Sequence, residues 1–175
     1  MKMACMGILP MTLTLLLNLS SVQASVSKVP ELSGYEQVGT GDLTWLGMTV
    51  YQASLYAPAG KYQPSLPHAL KIEYRFSFSA AQLAERSLTE IERVHGKQDD
   101  RDLLLEQLLA VFSDVQRGDA IVGVHYPGRG ASFYSKGELL GRWENAQLAE
   151  RFFGIWLNAD TREPRLRSQL LGSRQ

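Results

Sequence analysis

"HALKIEYRFSFSAAQLAERSLTEIERVHG", residues 68–96, changes its hydrophobic period once, and that change decides the fold. In its first half Leu70, Ile72, Tyr74, Phe76 and Phe78 alternate with Lys71, Glu73, Arg75 and Ser77. A period of two is a strand with one face on a core and the other toward water or a cleft. From Ser79 the spacing becomes helical, with Leu83, Ser87, Leu88, Ile91 and Val94 on one stripe. Ser79 and Gln82 have the spacing of a capping box, Phe78 and Leu83 that of a hydrophobic staple, and Gly96 is a stop. A strand that runs directly into an amphipathic helix predicts a sheet with a helix laid on it.

The flanking segments extend this pattern. "VGTGDLTWLGMTVYQASLYAPAG", residues 38–60, is rich in strand formers, and both of its alternating faces carry apolar groups. That predicts a long bent strand, or a strand pair, in mid-sheet with Gly47 at the bend. After the first helix a second is expected over Arg101–Val115, led by Asp99 and Asp100 at its positive end. "DAIVGVHYPG", "ASFYS" and "KGELLGRW" read as strands, the last two joined by a tight turn at Lys136-Gly137. Asn145 then caps a helix with Leu148, Ala149, Phe152, Ile155 and Trp156 on one face, widened by Phe153 and Leu157. A short helix containing Pro164, Leu166 and Leu170 ends the chain. The order of strands, two helices, strands, helices predicts an α+β domain, an antiparallel sheet with its helices on one face.

Residues 1–24 read as a cleaved signal peptide: Lys2, an acid-free apolar run, and small residues before Ala24. The expectation is therefore a periplasmic protein. Cleavage removes Cys5, the sole cysteine, and leaves 151 residues (175 − 24) that must hold together without disulfides. Residues 25–37 read as an extended lead-in, 38–172 as the domain and 173–175 as a tail. Seventeen basic against eighteen acidic residues after Lys2 is lost give nothing to attract nucleic acid. No later apolar run reaches the ~18 residues that would suggest a membrane span.

Chemical motifs are sparse. There is no Gly-x-Ser-x-Gly elbow. His68, His95 and His125 are too scattered for a metal site, so no metal is expected. "GTGDLT" lacks the third glycine and the helix of a dinucleotide site, and "YPGRGAS" is a turn between strands, so no cofactor is expected. Arg162, Arg165 and Arg167 read as a solvated face, and Glu90 beside Ser87 as an exposed helical carboxylate. The strand tyrosines Tyr51, Tyr56, Tyr74, Tyr126 and Tyr134 are more suggestive. An apolar ring with one hydroxyl suits a pocket for an apolar ligand with a polar end, but it equally suits a strand.

Four ordered segments carry a resemblance: "LTWLGMTVYQASLYAPAG", "SAAQLAERSLTEIERVHG", "GDAIVGVHYPGRGASFYSKGELLGRW" and "FFGIWLNADTREPRLRSQLLG". Together they resemble the bacterial chalcone isomerase-like proteins. The resemblance implies an open-faced β-sandwich, a large antiparallel sheet covered by helices with a ligand cleft between them. The plant enzymes of this family hold a phenolate with an arginine and activate water through a threonine and a tyrosine, around an "FT-x-x-G-x-Y" segment. Here the matching stretch is "VYQASLY", which puts Tyr51 at the threonine's place, and no basic residue occurs between Lys28 and Lys61. The departure resembles the family's non-catalytic branch, some members of which bind fatty acids.

Three functions follow. The first is an exported, non-catalytic binder of a small apolar ligand such as a fatty acid, held by Tyr51, Tyr74, Tyr126, Tyr134, Phe152 and Trp156, with Arg75 as carboxylate partner. The second is an isomerase with a rearranged site, Tyr51 as acid and Arg75 as anion holder. The third is a scaffold for a protein partner, with a filled core and an exposed apolar patch.

Overall fold

The computed structural model describes Val29 and residues 32–172. The expected signal segment, most of the lead-in before Leu32 and the tail lie outside the described residues. The elements are β1 (Tyr35–Trp45), β2 (Met48–Pro58), β3 (His68–Tyr74), α1 (Ala80–His95), α2 (Arg101–Leu109), β4 (Ala120–Tyr126), β5 (Gly130–Ser135), β6 (Glu138–Trp143), α3 (Ala146–Leu157) and α4 (Pro164–Leu170). The strands form one antiparallel sheet in chain order, β1 to β6. The helices supply the other half of the main core: Leu88, Ile91, Leu148, Phe152 and Phe153 pack with Ala53, Leu55, Leu70, Ile72 and Phe133. This is the expected α+β open sheet with one helical layer.

Local chemistry sets the helix ends. Ser79 Oγ accepts from the Gln82 N–H at 3.2 Å while Gln82 Oε1 accepts from the Ser79 N–H at 2.9 Å. Two of the free N–H groups at the helix start are thereby satisfied. Gly96 closes the helix with a φ of 80°, and Asn145 Oδ1 accepts from the Leu148 N–H at 3.0 Å to start α3.

Of the two expectations for residues 38–60 the strand pair holds, while other boundaries differ from the sequence reading. Residues 38–60 hold a strand pair, with Leu46 and Gly47 (φ 48° and 77°) forming the turn between paired Trp45 and Met48. Two positive φ values mark the type I′ turn that matches the strands' twist. β1 is an edge strand and begins at Tyr35, inside the expected lead-in. α2 stops at Leu109 short of the expected Val115, which instead exchanges backbone hydrogen bonds of 2.9 and 3.0 Å with Phe78 across a bridge. β3 ends at Tyr74, so Phe76 emerges exposed rather than buried.

The sheet's second face carries a smaller apolar cluster of Tyr56, Ala69, Val122, Val124 and Tyr134, on which Val29 and Leu32 pack. Lys71 is buried, its Nζ 3.2 Å from Glu73. On the helical side α4 lies directly against β1. A Cβ on Gly39 would run into the carbonyls of Gln169 and Leu170, so the glycine is what permits that approach.

Leu46 carries a positive φ that a branched-chain residue disfavours and Asn tolerates. Leu46→Asn is expected to raise stability by about 1 kcal/mol in chemical denaturation. A loss of stability would show that the leucine side chain supports the fold.

Candidate functional site

Between the sheet and the helices lies a cavity of about 550 Å³, within the range of small-molecule sites. Its floor is Leu70 and Ile72 of β3, Ile121 and Gly123 of β4 and Phe133 of β5. Gly123 makes room for rings, since a Cβ there would stand 3.0 Å from Phe153 Cζ and 3.2 Å from Phe133 Cε1. Phe78, Leu83, Phe112, Phe152, Phe153, Ile155 and Trp156 close it from the helical side.

One end is polar. Tyr51 and Tyr74 are register partners on β2 and β3, with their rings edge to face at 6.4 Å. Trp156 Nε1–H donates to Tyr51 Oη at 2.9 Å, which pins α3 to the sheet and leaves the Tyr51 O–H to donate in turn. Burial raises both phenol pKa values, so both side chains stay neutral donors. Arg86, Ser87, Glu90, Thr161, Arg162 and Glu163 complete this end.

Glu90 is buried at 7% exposure, contrary to the expectation of an exposed carboxylate. Arg93 Nε donates to its Oε2 at 3.0 Å. Its Oε1 lies 2.7 Å from Arg86 Nη2 and 3.6 Å from Arg162 Nε, ion-pair distances without good hydrogen-bond alignment. Arg93 Nη2 also donates to the Asp160 carbonyl at 2.8 Å, which joins α1 to the α3–α4 loop. Arg162 thus belongs to the cavity, not to a purely solvated face. Three cations meet one buried carboxylate, and of the charged groups lining that end of the cavity, Arg86 and Arg162 stand beside Glu90 and Glu163, two of each sign.

Residues 38–172 match the family model described as chalcone isomerase-like. The chain belongs to the chalcone isomerase-like family. A Haemophilus influenzae protein described only as uncharacterized is 27% identical over 139 residues, 79% of this chain and 68% of the relative. Among solved structures, an Arabidopsis thaliana fatty-acid binding protein superposes with a TM-score of 0.61 at 14% identity, covering 79% of this chain and 87% of the other. At that identity the likeness concerns the fold.

In this chalcone isomerase-like chain the structure brings Tyr51, Tyr74, Phe152 and Trp156 together around the cavity. Arg75, Tyr126 and Tyr134 stand elsewhere, and strand parity is the reason. Tyr134 follows inward Phe133 and so joins the second-face cluster, where Tyr126 also packs, with the Arg129 guanidinium 5.2 Å from its ring centre. Arg75 follows inward Tyr74 and pairs with Glu73 at 2.6 Å. Arg86, Arg162, Gly123 and Phe153 were not singled out as site residues. The one readable signal was Arg86 four residues before Glu90 on α1; Arg162 reaches the site only through the fold.

His68 and His125, 57 residues apart, are cross-strand partners with buried rings. His68 Nδ1 lies 2.9 Å from the Leu66 carbonyl and so donates to it; His125 Nδ1 then donates to His68 Nε2 at 3.3 Å. His125 Nε2 is buried without a partner, and Phe153 stacks on that ring at 4.7 Å. The role of the pair is a hydrogen-bonded neutral one within the core. Among the described residues no three His, Cys, Asp or Glu side chains gather as a metal would require.

Burial, and then His68, lower the His125 pKa to about 4, and burial lowers that of His68. The unfolded chain takes up protons near pH 6.5 while the folded one resists until about pH 4. Stability is therefore full above pH 6.5 and falls as the pH drops toward 4, by on the order of 2 kcal/mol by pH 4.5. His125→Leu should flatten that fall in denaturant titrations at pH 7.5 and pH 4.5. An unchanged slope would mean other groups govern acid sensitivity.

Proposed function

We propose that this protein binds a small amphipathic acid of the fatty-acid type without transforming it. The observation that carries the reading is the apolar cavity with two neutral phenols and the guanidinium groups of Arg86 and Arg162 at one end. The hydrocarbon would lie among Leu70, Ile72, Ile121, Phe133, Phe152 and Phe153, and the carboxylate near Tyr51 and Arg86. The fatty-acid binding protein that shares the fold supports the same ligand class. Export to the periplasm remains part of the proposal, resting on the sequence of residues 1–24.

The isomerase alternative placed Tyr51 and Arg75 in one site. Arg75 is held by Glu73 away from the cavity, so the anion holder is missing from the site, and burial makes the Tyr51 phenol a weaker acid than usual. The scaffold alternative predicted a filled core, which the cavity does not provide, and an exposed apolar patch, which Trp45, Leu46 and Met48 at the β1–β2 turn do.

Native mass spectrometry of the protein from its own cells should show a stoichiometric adduct identifiable as an apolar acid. Displacement of a fluorescent fatty acid gives the residue test. Tyr51→Phe removes one hydrogen bond to the carboxylate and should weaken binding about tenfold. Ser87→Phe pushes a ring from α1 into the cavity and should abolish binding. Full affinity for long-chain acids in both variants would sink the proposal.

A further inference from the structure

The tip of the β1–β2 hairpin holds the two most exposed large apolar side chains among the described residues, Leu46 at 77% and Trp45 at 65%, followed at the turn's end by Met48 at 50%. Leu46 holds a φ of 48°, where Asn or Gly is the easier choice. Its side chain stands in water, so neither its strain nor its exposure serves the core. Local rules broken together at one place mark an outward-acting surface.

The tip is continuous with the cavity. Trp45 lines the opening together with Leu43 and Thr44. Phe76, also exposed, emerges beside the hairpin, since the neighbouring Arg75 N–H donates to the Val50 carbonyl at 2.9 Å. The charged side chains of this opening are two arginines and two glutamates, and the two that stand out into solvent are Arg86 and Arg162.

We propose that this hairpin tip docks the protein on a lipid bilayer. Trp45, Leu46 and Met48 enter the interfacial layer, and Arg86 and Arg162 face lipid phosphates. Tryptophan favours that layer, small apolar groups gain from shallow burial there, and guanidinium groups pair with phosphate. A protein partner is the poorer fit. A whole aromatic side chain supplies ~150–250 Å², so four partly exposed ones fall short of the ~800 Å² per partner of a stable interface. That the contact serves ligand transfer rests on the cavity reading above; the contact itself does not.

The test uses the full chain with vesicles of phosphatidylethanolamine and phosphatidylglycerol, part of the lipid brominated in its acyl chains. Trp143 and Trp156 lie within the fold, so quenching by brominated lipid should come from Trp45 and vanish in Trp45→Phe. Leu46→Asp with Met48→Asp should remove it as well, and Asp accepts the turn's positive φ, so the fold is kept. The local readout also separates the tip from any contact made by the apolar residues 1–24. Quenching that is absent, or that persists equally in Trp45→Phe, overturns the proposal. So does a lipid-free dimer by light scattering that becomes monomeric in the double variant, which would assign the tip to a second copy. Quenching by an unaltered chain that binds no fatty acid would overturn the cavity reading alone.

Discussion

Phe152 is the contact on which this architecture turns. Its ring meets those of Phe112, Phe133, Trp143, Phe153 and Trp156, each at a centroid distance between 5.3 and 6.0 Å. Those partners come from the segment after α2, from β5, from β6 and from α3 itself. Buried aromatic side chains bring large apolar areas, and edge-to-face geometry adds to the gain from burial. The cluster fixes α3 at the β5–β6 side of the sheet. At the other side α3 is held by the Trp156–Tyr51 hydrogen bond, a longer reach that leaves space beneath the helix. The cavity is the gap between a bulky aromatic wedge and that single polar strut.

The polar end of this gap has its own logic. A carboxylate as deeply buried as Glu90 would be costly alone, and the arginines of α1 and of the loop after α3 compensate it. The same arrangement ties the helical layer together, because Arg93 bridges Glu90 and the Asp160 carbonyl. The cationic groups of the site thus come from α1 and the loop after α3, while the strand stretch between Lys28 and Lys61 carries none. The arginines are already partnered and sit at the opening.

Phe153 joins two environments. It lines the cavity on one side and stacks on His125 on the other. A neutral histidine pair hydrogen-bonded across β3 and β4 fills the core end that the Phe152 cluster does not reach. Both rings face the helices because His68 and His125 share the parity of Leu70 and Gly123.

Much of the layout was legible in the sequence because its determinants are local. The capping box at Ser79, the cap at Asn145, the turn at Lys136-Gly137 and the α3 stripe all follow from residues within one turn or one strand. Parity along "GASFYS" and "HALKIEYR" could also have sent Tyr134 and Arg75 away from the cavity. The aromatic helix α3 is core first and cavity wall second. What only the tertiary structure decided are the long-range meetings: His68 with His125, Trp156 with Tyr51, Arg162 with Glu90. Local spacing carries no information about which strands pair or where a helix settles. Those are set by how bulky side chains fill the space between sheet and helices, and the cavity is defined by where that filling stops.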